Sequence, residues 1–172
     1  KGKVTHVFTP LQRKVDSIFF DAIKISISSA TLNGKPVRFV STDTSVMVYP
    51  SPALSWETTD SIVFVYEATP RKGLYFIGWN ADVASTKENG ATRKQIWTQS
   101  QGIDNRAWIP MYDEMNDKFI TETIVTFNKD YQVLSNGTKL SEKDNGNGTK
   151  TWHYTMTHPH AGYLLMLGIG NY

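Results

Sequence analysis

Alternation at a two-residue period constrains this chain more than any other feature. Residues 18–28 form a long β-rich run, and in its second half Ile23, Ile25 and Ile27 face one way while Lys24, Ser26 and Ser28 face the other. That is the pattern of a strand with one face on a core and the other in water. Asn33-Gly34 follows. This dipeptide supplies the positive φ values of a tight type I′ turn, so residues 25–32 and 35–40 are expected to form a hairpin. No window of helical length carries a sustained 3.6-residue period, and no internal repeat is visible.

Strand-like runs recur to the end of the chain. Residues 4–8 alternate weakly and are closed by Pro10, and 46–49 form a further short run. Residues 61–66 are almost continuously apolar, the mark of a strand buried on both faces. Residues 71–79 carry Gly73 and Gly78 around an aromatic segment, which suggests bends or close backbone approach. Residues 80–90 are polar and are expected to form a loop or a short helical turn, after which 94–98 returns to strand. Residues 119–127 alternate around Ile120, Ile124 and Val125, then 131–134 run into a turn at Ser135-Asn136-Gly137. Residues 142–148 read as a hairpin tip, with 151–157 and 163–169 as its closing strands. The expectation is an all-β fold of roughly ten antiparallel strands, a sandwich or a saddle-like sheet with no long helix, as a single domain over 1–172.

Composition excludes several function classes. Basic residues come as scattered pairs, Arg13-Lys14, Arg71-Lys72 and Arg93-Lys94, in a chain of net charge +2. Nucleic-acid binding needs a clustered basic face, and none is apparent. The chain has no cysteine, which removes disulfides, thiolate metal sites and a cysteine nucleophile. The longest apolar run, 163–169, falls far short of the ~20 residues of a membrane helix. No signal-like segment opens the sequence. The compartment is left open, exported or periplasmic and cytoplasmic alike.

Candidate chemistry is sparse. His158 and His160 are spaced to share a strand face, but no third metal ligand accompanies them, and they read as solvated loop histidines. Asp113, Glu114 and Asp117 lack the spacing and glycine of a calcium loop, and read as a turn with hydrogen-bonded acidic residues. Asn136-Gly137-Thr138 and Asn147-Gly148-Thr149 are glycan-acceptor sequons, yet Asn-Gly is also a common turn dipeptide, and the turn is preferred. No Gly-x-Ser-x-Gly elbow occurs, and no histidine is followed by glutamate, so a His-Glu-x-x-His zinc helix is absent. The stretch 97–118 is different in kind. Gln99 and Gln101 alternate with Thr98 and Ser100, so on an extended segment both carboxamides point to one side, each with an acceptor and two donors. They could hold a charged amine or a peptide end, or satisfy neighbouring backbone.

Thr98-Gln99-x-Gln101 followed by Arg106, Pro110, Asp113-Glu114 and Lys118 resembles the Thr-Gln-x-Glu…Arg…Pro-Cys-x-Asp-Glu-Pro…Lys signature of the aminopeptidase N-like zinc metallopeptidases, the gluzincin aminopeptidases that include the leukotriene hydrolases. Gly73-Leu74-Tyr75 resembles that family's Gly-Leu-Tyr strand, and Ser135-Asn136-Gly137 its Ser-Asn-Gly turn. The resemblance implies the N-terminal β-domain of a larger peptidase, without its first strand or strands and without the thermolysin-like catalytic domain that carries the zinc. No cofactor is implied for this chain, and its partners would be its own catalytic domain and a peptide substrate. Gln99 would line the pocket for the substrate's first side chain and Gln101 would help bind its free α-amine. Gly73, Tyr75, Arg106, Pro110, Asp113 and Lys118 would be structural. The family's usual glutamate is Gln101 here, which removes a negative charge from the amine site and raises the possibility of an inactive parent. Met111 stands for the common Cys and Met115 for the common Pro. The competing expectation is a stand-alone carbohydrate-binding or adhesion β-sandwich, using the chain's tryptophans and tyrosines as stacking surfaces.

Overall fold

The computed structural model describes residues 1–79, 94–172 and, as backbone, 87–88 and 91–92. The chain is built from antiparallel strands and divides into two compact units, Lys1–Arg71 with Asn105–Asp113, and Lys72–Asp104 with Glu114–Tyr172. Among the described residues no helix is long and apolar enough to cross a membrane.

The first unit holds β1 (Gly2–Phe8), β2 (Ile18–Asp21), β3 (Ile25–Leu32), β4 (Lys35–Pro36), β5 (Arg38–Ser41), β6 (Ser45–Tyr49) and β7 (Asp60–Ala68). They form two sheets, ordered β1-β7-β3-β4 and β2-β6-β5. Phe20, Val46 and Val48 of the second sheet share one core with Ile25, Ala30, Ile62, Phe64 and Tyr66 of the first. Each fully buried aliphatic or aromatic side chain there contributes roughly 1.5–3 kcal/mol, and Phe20 meets Phe64 edge to face at 5.0 Å.

Three expectations change in this unit. The run 18–28 is two strands in two sheets, because Lys24 takes a positive φ of 52° and the amides of Ala22 and Lys24 go to Thr44 and Asp43. Ile23 is consequently exposed, outside the strand alternation. The 61–66 run buries one face, not two: Ile62, Phe64 and Tyr66 point inward while Val65 is exposed. Valines on the wet face mimic two-sided burial because β-branched side chains suit a pleated surface whichever way they point. The Asn33-Gly34 turn is present, with φ of 50° and 78°. Its hairpin is shorter than expected, since only Lys35 and Pro36 pair with β3 before the chain crosses to β6. A further tie to β3 is made just beyond, where Val37 N donates to Ala30 O at 3.1 Å. Asn33 also ties the turn to β7, donating to Asp60 Oδ1 at 2.7 Å and accepting from Ser61 N at 2.8 Å.

Residues 105–113 belong to this unit through a buried polar knot. The Arg106 guanidinium lies 2.8 Å from Asp21 Oδ1 and 3.5 Å from Asp113 Oδ2, and its Nη2 donates to the Asp113 carbonyl at 2.7 Å. Asp113 Oδ2 accepts from Arg106 N at 2.9 Å, and Asp113 N donates to Asp21 Oδ2 at 3.1 Å. Asp21 and Met111 exchange both backbone hydrogen bonds, at 2.7 and 3.0 Å. Asn105, fully buried, accepts from Trp108 Nε1 at 2.8 Å. His6 Nε2 donates to the Pro110 carbonyl at 2.8 Å while its ring packs on Phe20. Burial pushes the Asp113 carboxyl above its ordinary value, and the hydrogen bonds and charge of Arg106 offset this only in part.

The second unit holds β8 (Gly73–Ile77), β9 (Lys87–Glu88), β10 (Ala91–Thr92), β11 (Gln95–Gln99), β12 (Lys118–Asn128), β13 (Gln132–Ser135), β14 (Thr138–Asp144), β15 (Thr149–Ala161) and β16 (Leu167–Gly170). Its sheets are β13-β16-β11-β8, β12-β15-β14 and the pair β9-β10. The loop or helical turn expected over 80–90 lies mostly outside the described residues. Val133, Ile96 and Ile169 bury the inner face of the first sheet, Trp152 and Tyr154 are buried on β15, and Tyr154 donates its hydroxyl to Val133 O at 2.7 Å.

The hairpin tip near Gly146 is closed by β14 and β15, not by 151–157 and 163–169. Every residue of β14 is exposed, so its sequence carries no apolar alternation to read. The 163–169 run is split by a 3₁₀ turn, Gly162–Leu164, and strand resumes only at Leu167. On β12 the period holds but the face is reversed: Phe119, Val125 and Phe127 are half-buried, whereas Ile120 and Ile124 are 64% and 63% exposed.

Two stability predictions follow from the charged groups. Arg106→Ala leaves two buried carboxylates without their cation and should destabilise the 172-residue chain by about 3–5 kcal/mol at neutral pH in urea unfolding. A carboxyl whose folded pKa is raised contributes stability that is full below its unfolded value of 3.8 and lost as pH rises through the folded value. Removing Arg106 raises that value further, so the deficit of the variant should narrow as pH falls towards 4. The opposite sign applies on the surface, where Glu142 is held down to about 2 by Lys150 and Lys139 at 2.8 and 3.0 Å. Its contribution is present above 4.5 and lost as pH falls through about 2. The difference in melting temperature between wild type and Glu142→Gln should therefore vanish over that range, and shrink with added salt at neutral pH.

Candidate functional site

β11 ends at Gln99, which pairs with Gly73 on β8. Beyond it Ser100 is only 3% exposed, while Gln99 and Gln101 on either side are exposed. The expected alternation therefore holds, and both carboxamides lie on the open side. Ser100 Oγ donates to Gly73 O at 3.3 Å, which ties the segment down between the two amides. Gly73 has a φ of 75° and Gly102, which turns the chain away, has a φ of 88°. These left-handed values favour glycine.

The amides border an open groove of about 340 Å³, with residues 98–101 on one side and 163–166 on the other. Among the described residues, no Asp, Glu, Lys, Arg or His lines it. Thr98 joins the sides through its hydroxyl, which accepts from Leu167 N at 2.9 Å and lies 3.4 Å from Leu167 O. The 163–166 segment is held by the turn after β13. Asn136 Nδ2 donates to Leu164 O at 2.9 Å, Asn136 Oδ1 accepts from Met166 N at 2.5 Å, and Ser135 Oγ donates to Met166 O at 2.7 Å. Gly137 follows with a φ of 80°, and a Cβ there would fall 2.0 Å from the Thr155 carbonyl oxygen. All three residues of this turn thus have a stated job, and the Asn136 carboxamide of the sequon is engaged with backbone.

The residues singled out in 97–118 separate into groups. Gln99 and Gln101 lie beside Gly73 in the second unit, where Tyr75 stacks on Trp97 at 5.1 Å. Arg106, Pro110 and Asp113 belong to the first unit and its buried knot. Lys118 opens β12 opposite Ala161 and is exposed. Asp21 is the partner of Arg106 that sequence reasoning missed. Its one signal was an ionisable residue inside the apolar run Phe19-Phe20-Asp21-Ala22-Ile23. Asn105 and the groove wall at 163–166 gave no comparable signal.

His158 and His160 are not loop residues. Both lie on β15, and His160 is buried, with Nδ1 donating to Ala161 O at 3.0 Å and Nε2 3.1 Å from Thr121 Oγ1. Its two ring nitrogens are occupied by protein. Among the described residues no three His, Asp or Glu side chains come together to hold a metal ion. The acidic turn is present, with Asp117 N 3.4 Å from Glu114 O.

Comparison with known proteins agrees with this architecture. The chain is 29% identical over 159 residues to the leucyl aminopeptidase of Saccharolobus solfataricus, a match covering 91% of this chain and 18% of that protein. It is 22% identical over 176 residues to leucine aminopeptidase 2 of Vanderwaltozyma polyspora, covering 99% of this chain and 26% of that one. The chain thus spans about a quarter or less of these relatives. Among solved structures, the M1 zinc metallopeptidase of Deinococcus radiodurans superposes with a TM-score of 0.81 at 24% identity, over 98% of this chain and 37% of that one. That likeness is one of fold. The profile of the peptidase M1 N-terminal domain matches residues 1–164. With nearly its whole length inside that profile, the chain belongs to the peptidase M1 N-terminal domain family.

Proposed function

We propose that this chain is the non-catalytic N-terminal β-domain of a zinc aminopeptidase, packed on a thermolysin-like catalytic domain that holds the zinc, and that Gln99 and Gln101 receive the substrate's N-terminal residue. The observation that carries the reading is the pair of exposed carboxamides flanking the buried, hydrogen-bonded Ser100 at the rim of a groove. An α-ammonium leaving water needs acceptors, and the two amide oxygens at the end of β11 can supply them, at the cost of ordering two long side chains. Acceptors placed one residue from the scissile bond confine cleavage to chain ends. The names of the relatives, leucyl and leucine aminopeptidase, extend to the full-length protein as part of this proposal. A stand-alone glycan-binding module is favoured by the half-exposed Tyr75–Trp97 stack, and a glycan array distinguishes it from a peptide binder.

Two measurements test the reading. The 172-residue chain assayed alone on aminoacyl anilides with added zinc should give no turnover above background, and any turnover would sink the claim. In the full-length enzyme, Gln101→Glu places a carboxylate where a neutral amide meets the ammonium. Because charge-assisted hydrogen bonds are about twice as strong as neutral ones, KM for a leucyl anilide should fall about tenfold, or about 1.4 kcal/mol. A KM that stays put or rises speaks against Gln101 as an amine ligand.

A further inference from the structure

The side of the groove opposite the glutamines is largely apolar and is held in place by the turn after β13. Leu164 and Met166 are 50% and 40% exposed and line it together with Gln99 and Gln101. Between the 3₁₀ turn Gly162–Leu164 and β16 the backbone has left the ladder, so its polar groups must find other partners. The Asn136 carboxamide takes two of them at once, accepting from Met166 N and donating to Leu164 O. Ser135 takes the Met166 carbonyl. Asn136 thereby does here what a neighbouring strand does elsewhere in the sheet, and it sets where the Leu164 and Met166 side chains stand.

We infer that Leu164 and Met166 form a selectivity wall for an apolar first side chain, and that Asn136 is the positioning residue that holds this wall opposite Gln99 and Gln101. The inference rests on the reading of the groove as the substrate's N-terminal subsite. Its ligand class is an aminoacyl terminus bearing a branched or thioether side chain. A lysyl, arginyl or glutamyl side chain would be desolvated against Leu164 and Met166, with no charged side chain among the described residues of the groove to pair with it. A short side chain such as alanine gains little from the wall. A longer apolar one gains in proportion to the area it removes from water.

The test is a comparison of leucyl, alanyl and lysyl anilides on the full-length enzyme. Leu164→Ser is an exposed change that leaves folding intact, and it should raise KM for the leucyl substrate about fivefold while moving the alanyl value less than twofold. Met166→Glu should lower KM for the lysyl substrate and raise it for the leucyl one. Asn136→Ala should raise the leucyl KM about tenfold with kcat changed less than twofold, and should speed exchange of the Met166 amide. Asn136→Asp keeps the acceptor for Met166 N and should fall between Asn136→Ala and wild type. A leucyl-to-alanyl KM ratio unmoved in Leu164→Ser and Asn136→Ala overturns the inference. Gln99→Ala, measured alongside, separates the two levels. If it raises KM while the wall variants leave the ratio alone, the subsite reading stands and the wall falls. If it leaves every KM unchanged, the groove is not the subsite and both fall.

Discussion

A guanidinium between two buried carboxylates is the constraint on which the first unit depends. Arg106 reaches Asp21 and Asp113 at once, and Asp113, 1% exposed, also holds the Arg106 amide. Burying these charges has a desolvation cost, and a well-packed apolar trio could match their net stability. What the ion knot supplies is register. The Arg106 fork, the Asp21–Met111 bridge and the Ile23–Arg106 backbone hydrogen bond all fail together if residues 105–113 slip by one position along β2. A lysine in place of Arg106 could not span both carboxylates and the Asp113 carbonyl, because its ammonium is a point charge and not a planar fork.

The second unit solves a related problem without charge. Its groove wall leaves the sheet between Gly162 and Leu167, and neutral side chains from another turn take up the backbone groups that the sheet would otherwise satisfy. Serine, asparagine and glycine in that order are each required for a separate reason. Ser135 supplies a hydroxyl for one carbonyl. Asn136 supplies a donor and an acceptor in one planar group. Gly137 supplies a positive φ and the space a Cβ would take from Thr155. A turn that looks like mere punctuation in the sequence is thus a support for a surface some thirty residues further along the chain.

Much of the fold was legible in the sequence because the two-residue period survives wherever a strand has one buried face. The exposure of Gln99 and Gln101 on either side of buried Ser100 was legible for that reason, and the Asn33-Gly34 turn because its dipeptide favours positive φ. The failures have physical causes. β14 is exposed on both faces and has no period to detect. Lys24 carries the positive φ that splits one apparent strand into two, and a lysine gives no warning of it. Ile120 and Ile124 keep the period of β12 on its wet face, so hydrophobicity alone assigns the wrong side. At the candidate site, Gln99 and Gln101 stood out in the sequence because both are local to one strand end. Asp21 and the 163–166 side of the groove did not, because their contacts lie far away in sequence, at Arg106 and Asn136.

The described residues that line the groove carry no charge, and that bears on its chemistry. An ammonium bound between amide oxygens gains hydrogen bonds but no full counter-charge, so its protonated form is stabilised less than it would be beside a carboxylate. The amides do not titrate. If a substrate amine sits in this groove, its own protonation decides whether it is held as a threefold donor, and the apolar wall must supply the remainder of its affinity. On the proposed reading, a glutamine where the resembling enzymes have a glutamate would shift selectivity from the charge at the chain end, which every peptide shares, to the side chain, which distinguishes one peptide from another.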